Sequence, residues 1–228
     1  MSGVQFRQKN FFSMVHKWSN TGQEDDGIKL KISAHGPAVQ VDLTPPRSTG
    51  LACDISVDLV PTLRIREDAH YVAKPYKSYA EIHTPLPCDS QLLWRQSFSK
   101  SERAILKKID GDGGCRKDCC RILKSIRNED PTLRALTSYH LKTALLHECD
   151  IVKDWDKNKL DQRFLGMLGS LAKYSREKSL PHYFVPELNL MEGYKNSTLD
   201  NIHGRLSRLQ NSPLERSKLL SPTEIKNK

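Results

Sequence analysis

No stretch of this chain comes near the roughly eighteen consecutive apolar residues that carry a helix across a bilayer. Its opening octet, Met1-Ser2-Gly3-Val4-Gln5-Phe6-Arg7-Gln8, lacks the apolar core of a secretory signal. These absences argue against a membrane-bound or secreted product, and the expected setting is the cytoplasm, with the nucleus as a second compartment. Cysteine is scarce: six in 228 residues, at Cys53, Cys88, Cys115, Cys119, Cys120 and Cys149. Inside a cell they read as reduced thiols rather than a disulfide frame. Three of them cluster, but a structural zinc site takes four ligands, usually paired across a turn, and no fourth stands near Cys115, Cys119 and Cys120. Helical spacing puts Cys115 and Cys119 on one face, with Ile122 a turn further on. Core thiols are therefore expected, and zinc is not. No internal repeat is visible.

The length suits one large domain or two small lobes, either with a sizeable core. The 36 Lys and Arg outnumber the 27 Asp and Glu, a net charge of +9. Such an excess favours polyanionic partners, nucleoside triphosphates or nucleic acid. Plain solubility accounts for it equally well, because the charges are spread along the chain.

Residues 4–19 can form a helix with Phe11, Val15 and Trp18 on one stripe. A polar turn at residues 21–27 leads into two alternating strands, over residues 28–33 and 38–43. Thr44-Pro45-Pro46-Arg47-Ser48-Thr49-Gly50 breaks the pattern, and a third strand carries Asp54-Ile55-Ser56-Val57-Asp58. Residues 61–87 show no period and are expected to run over the surface. From Ser99 the character turns helical. Ser99 and Glu102 have the spacing of a capping box, ahead of an apolar face of Ile105, Leu106 and Ile109. A turn over residues 110–114 follows, then helices over residues 115–127, 138–149, 160–174 and 198–209. A proline-bounded apolar segment occupies residues 181–191, and residues 211–228 read as a flexible tail. The expected class is α+β: a strand-rich portion over residues 1–98, a helical lobe over 99–210, and a site in the cleft between them.

Asp58 shares a strand face with Asp54, Ser56 and Val60. Taken alone, a strand aspartate is more often a turn or solvent contact. Its company changes the reading. After Asp54–Leu63 come Trp94-Arg95-Gln96-Ser97-Phe98-Ser99-Lys100-Ser101-Glu102, then Cys115-Arg116-Lys117-Asp118-Cys119, then Ser138-Tyr139-His140-Leu141-Lys142. This ordered series resembles the second half of the cyclic GMP-AMP synthase and Mab-twenty-one-like nucleotidyltransferase family, over roughly residues 28–210. The resemblance implies part of a nucleotidyltransferase mixed sheet followed by a helical C-terminal lobe. It implies that Asp58 is the third of three carboxylates that hold Mg²⁺ or Mn²⁺, since two-metal phosphoryl transfer needs several carboxylates converging. The other two, a Glu-x-Asp pair, are expected upstream of the residues present. Glu24 and Asp26 imitate that pair, but they sit in a glycine-flanked acidic turn and read as solvated.

The same resemblance places Arg95, Ser97, Ser99 and Glu102 along the nucleotide cleft, with Lys124, Ser138 and Lys142 as further contacts. The residue types suit the task. A guanidinium and hydroxyls bond base edges, a carboxylate accepts from amino or ribose groups, and an ammonium meets phosphate as a point charge. Tyr139 matches the tyrosine on which a base stacks, worth about 1–3 kcal/mol per base. Leu180-Pro181-His182-Tyr183-Phe184-Val185-Pro186-Glu187-Leu188-Asn189-Leu190 resembles the family's packing segment and is read as core.

Two departures bear on function. The zinc-binding insert of the DNA-sensing member is replaced by the short turn at residues 110–114, so double-stranded RNA is favoured over DNA as a trigger. A guanine-contacting threonine two residues after the metal aspartate is Val60 here, which cannot hydrogen-bond through its side chain. The intact protein is expected to make a cyclic dinucleotide such as cyclic GMP-AMP from ATP and GTP on sensing double-stranded nucleic acid, in innate immune signalling. These 228 residues alone are expected to be inactive. The rival is a non-catalytic Mab-twenty-one-like interaction or developmental regulatory protein.

Overall fold

A computed structural model describes residues 11–17, 27–35, 38–51, 54–66, 70–72 and 94–220. The chain divides into two compact units, Met1–Lys100 and Ser101–Lys228.

In the first unit, alternation builds an antiparallel meander. β1 (Lys29–His35), β2 (Ala38–Thr44) and β3 (Ile55–Leu59) lie side by side in that order. Directly opposed residues share a face, so the register sorts the sheet into two surfaces. Ile32, Val41 and Val57 line up on one, and Ser33, Gln40 and Asp58 on the other. The apolar surface meets a short helix, α1 (residues 11–17), at Val15, which is buried with Val39 and Val41. Phe11, Phe12, Leu30 and Leu43 pack around that trio. The remainder of the helix expected over residues 4–19 lies outside the described residues, as do Glu24 and Asp26. The expected break before β3 is a 3₁₀ turn, Arg47–Thr49, closed by Gly50 at φ 69°.

A second antiparallel sheet, β4 (Thr62–Arg64), β5 (His70–Val72) and β6 (Arg95–Ser97), adds two strands to residues 61–87, where none was expected; β4 is exposed, as a surface run would be. Strands of three residues are too short for an alternating pattern to register in the sequence. Residues 73–93 of that stretch lie outside the described residues.

The helical unit is built around a far larger core. α2 (Ser99–Ile109) opens at Ser99 itself and ends in the 3₁₀ turn Asp110–Asp112. Gly114 follows, where an added Cβ would lie 2.5 Å from the Trp155 carbonyl oxygen, the same oxygen that accepts from the Cys115 N–H at 2.8 Å. Only glycine permits that approach. α3 (Arg116–Glu129) buries Cys119, Leu123 and Ile126, spaced as one helical stripe. α4 (Ser138–Ile151) buries residues on most of its circumference and runs through the middle of the unit. α5 (Leu160–Glu177) and α6 (Asn196–Asn211) pack through Met167, Leu168 and Leu171 against the layer of Leu199, Ile202 and Leu206.

One finding agrees with the expectations for this unit and another corrects them. The thiols of Cys115 and Cys119 lie in the core, as expected, and burial pushes Cys119 up to about 12 and Cys149 to about 11. Cys53 and Cys88 lie outside the described residues. In place of a tail beginning at residue 211, the chain forms α7 (Pro213–Leu220). Arg205 pins it by pairing with buried Asp130 on one side and Glu215 at 2.7 Å on the other. Arg216 adds bonds to the carbonyls of Leu209 and Gln210 at the end of α6. The polar composition read as frayed is used by this ion-pair network.

Candidate functional site

Each unit carries part of the predicted set. In the first, Asp58 stands exposed on the polar surface of the β1–β3 sheet, opposite Gln40. Beside it the structure places a carboxylate that the sequence reading missed. Asp42 Oδ1 accepts from Ser56 Oγ at 2.6 Å and from Gln40 Nε2 at 2.7 Å. The Ser56 bond, then the Gln40 bond, hold its carboxyl below the usual range, and Lys31 directly opposite adds to them. The alternation within β2 puts Gln40 and Asp42 on one face, and the β2–β3 register makes it the face of Asp58. Arg95 and Ser97 lie in the other sheet, and Ser97 Oγ and Ser99 Oγ bond each other at 2.9 Å.

Among the described residues, no group of three or more His, Cys, Asp or Glu is arranged to hold a metal ion. The donor chemistry of Asp58 suits a hard divalent cation, which takes oxygen ligands. Asp42 already accepts two hydrogen bonds through one oxygen. These residues therefore provide part of a carboxylate set, short of what two cations require.

The helical unit gathers the rest. Glu102 of α2 is 5% exposed, and Lys142 of α4 donates to its Oε2 at 2.6 Å. Two residues read separately as nucleotide contacts are thus an ion pair joining α2 to α4. Lys124 of α3 and Lys142 both lie close enough to Cys120 to oppose the upward push that burial gives its thiol. Ser138 and Tyr139 occupy the first turn of α4. That turn is fixed by a capping box in which Thr137 N donates to His140 Nδ1 at 2.9 Å and Thr137 Oγ1 accepts from His140 N. Histidine here does what Glu or Gln usually does at this position. His140 Nε2 then donates to the Leu190 carbonyl at 2.9 Å, and burial lowers its pKa, so the neutral ring is favoured. Ser138 Oγ accepts from Arg127 Nη1 at 3.0 Å. Tyr139 Oη lies 2.8 Å from His182 Nε2. Arg127 and His182 were not anticipated. No local pattern announces either, because their partners stand 11 and 43 residues away.

The Mab-21 protein nucleotidyltransferase domain matches residues 7–108, and the Mab-21 protein HhH/H2TH-like domain matches residues 115–208. The chain belongs to the Mab-21 family. It is 36% identical over 199 residues to cyclic GMP-AMP synthase-like receptor 3 of Stylophora pistillata, covering 85% of this chain and 56% of that relative. This Mab-21 chain thus spans about half the length of the curated relative it matches. The first domain match runs through most of α2, whereas by packing α2 from Ser101 onward groups with the helical unit. The Glu102–Lys142 pair gives that grouping a physical basis.

Proposed function

We propose that the protein containing this chain is a cyclic GMP-AMP synthase-like nucleotidyltransferase. It joins ATP and GTP, or a related pair, into a cyclic dinucleotide on sensing double-stranded nucleic acid, with RNA favoured over DNA, in innate immune signalling. The observation that carries this reading is the 36% identity to a cyclic GMP-AMP synthase-like receptor across most of the chain. The arrangement of the helical unit supports it, with Lys124 of α3 and Lys142 of α4 near one thiol and Tyr139 at the head of α4.

In this reading Lys124 and Lys142 offer positive charge to phosphates, Tyr139 stacks a base, and Arg95, Ser97, Ser99 and Ser138 supply hydrogen bonds. Glu102 orients Lys142 and accepts from the nucleotide. Asp58 is one ligand of Mg²⁺ or Mn²⁺, and an upstream Glu-x-Asp pair supplies the other carboxylates. The cations, when bound, neutralise phosphate charge and polarise the attacking hydroxyl. Zinc is given no role in this reading, because Cys115, Cys119 and Cys120 offer three clustered thiols where a structural site takes four ligands.

The test uses a longer protein that includes this chain and an upstream Glu-x-Asp strand, given ATP, GTP, Mg²⁺ and double-stranded RNA. A cyclic dinucleotide is expected, and Asp58→Ala should abolish it with the melting temperature unchanged, because Asp58 is exposed. The 228-residue chain alone should make none. Synthesis that survives Asp58→Ala would falsify the ligand assignment. A longer protein that binds no nucleotide would favour a non-catalytic Mab-21 factor.

A further inference from the structure

The segment read as packing reaches the candidate nucleotide face at one point. His182 is 8% exposed, and its Nδ1 accepts from the backbone N–H groups of Phe184 and Val185, both at 3.1 Å. A ring nitrogen that accepts twice carries no proton, so this network assigns the proton of the neutral ring to Nε2. That N–H points at Tyr139 Oη, 2.8 Å away, and the two rings stand 5.6 Å apart at 44°.

The ring of His182 is itself held in place. The backbone N–H of His182 donates to the Leu188 carbonyl at 2.7 Å, closing the loop around it. Phe184 lies 6.2 Å from the imidazole, and Tyr183 packs edge-on against Phe184 at 5.1 Å. Tyr183 in turn meets His147 of α4, whose Nε2 bonds the Pro181 carbonyl at 2.9 Å. The loop is thus tied toward both ends of α4, by His182 to Tyr139 in its first turn and by Pro181 and Tyr183 to His147 further along.

We propose that His182 is a positioning residue for Tyr139: by hydrogen-bonding the phenol it holds in place the ring on which a nucleotide base stacks. The inference rests on the reading above that Tyr139 is that stacking surface. A partly exposed tyrosine on a first helical turn can sample more than one ring orientation. Anchoring its tip removes that freedom before the ligand arrives, so less is lost on binding.

ATP is titrated to millimolar concentration into the 228-residue chain, and the aromatic ring resonances of Tyr139 are followed by NMR. Wild type should show saturable shifts at Tyr139. Tyr139→Ala should weaken binding about tenfold, within the range known for stacking. His182→Asn keeps an acceptor for Phe184 and Val185 but does not reach the phenol, and should cost about fivefold, the worth of one hydrogen bond. His182→Gln, whose amide nitrogen reaches the Nε2 position, should recover part of that loss. Combining His182→Asn with Tyr139→Phe should be no worse than either alone, since both remove one bond. Thermal melts check that each variant folds. Wild-type affinity in His182→Asn, alongside a weakened Tyr139→Ala, would overturn the inference and leave the stacking reading intact. Tyr139 resonances that ignore ATP in the wild-type chain would overturn both.

Discussion

The two units hold their candidate residues in opposite ways. In the first, Asp58 and Arg95 stand exposed on sheets of three short strands, and the apolar cluster among the described residues has three fully buried members. In the second, Glu102 and His182 are buried, Tyr139 and Lys142 are partly covered, and each is fixed by a bond to another helix or loop. Twenty-two buried side chains lie beneath them. Exposed sheet residues can change with little consequence for folding, so substitutions there report on chemistry alone. Residues wired into the helical core serve fold and site together, and changing them moves both.

The largest effect should come from the helical core. Leu168 is fully buried between α5 and α6, and Leu168→Ala should cost about 2–5 kcal/mol. Ile55, on the apolar surface of the edge strand β3, is 44% exposed, and Ile55→Ala should stay within about 0.5 kcal/mol. Urea melts of the two variants side by side measure the contrast. A similar cost at both positions would break it, and would mean that the β3 surface is covered in solution.

A middle-sized effect is expected from Lys142→Met. It leaves the Glu102 carboxylate buried without its cation, a loss that reaches about 3–5 kcal/mol for a fully buried pair. The Lys142 side chain is 34% exposed, so water screens part of it, and about 1–3 kcal/mol is expected. Adding Glu102→Gln should restore much of the stability but not nucleotide binding. Denaturation of the single and double variants separates the structural from the ligand-facing role. Additive losses would mean that the pair contributes no coupling.

The smallest effect concerns acid. Hydrogen bonds from Arg205 and then Lys218 hold Glu215 down to about 2. A carboxylate whose folded value lies below its ordinary value of about 4.3 contributes stability above that ordinary value and loses it as pH falls toward 2. The protection factors of the α7 amides, which divide out the intrinsic pH dependence of exchange, should therefore be steady from pH 7 to 5 and fall below about 4. Glu215→Gln should exchange faster at neutral pH and show less additional change in acid. Identical acid profiles for the two proteins would show that this ion pair does not secure α7.

Much of this was readable from single residues and their spacing. The 2-residue alternation of Ile28 to Ser33 and Ala38 to Leu43 gave β1 and β2, and that of Asp54 to Asp58 put Asp58 on one face with Ser56. The stripe of Leu199, Ile202, Leu206 and Leu209 gave α6. Such patterns are legible because the repeat of the backbone imposes them locally. Strands β4 and β5 escaped because three residues cannot display a period, and α7 because its anchor, Arg205, is a charged residue that earns its place only through Asp130 and Glu215.

The sequence by itself determined the α+β class, the order of strands before helices, and the residue types available for phosphate, base and metal. Composition and local period are properties of the chain, and no folding is needed to read them. Only the tertiary structure decided that Glu102 faces Lys142 across 40 positions, that Asp42 joins the Asp58 surface through Ser56, and that His182 meets Tyr139 across 43. Those pairings depend on how helices and strands pack, because a side-chain hydrogen bond forms only within about 3 Å and neither partner carries a mark of the other.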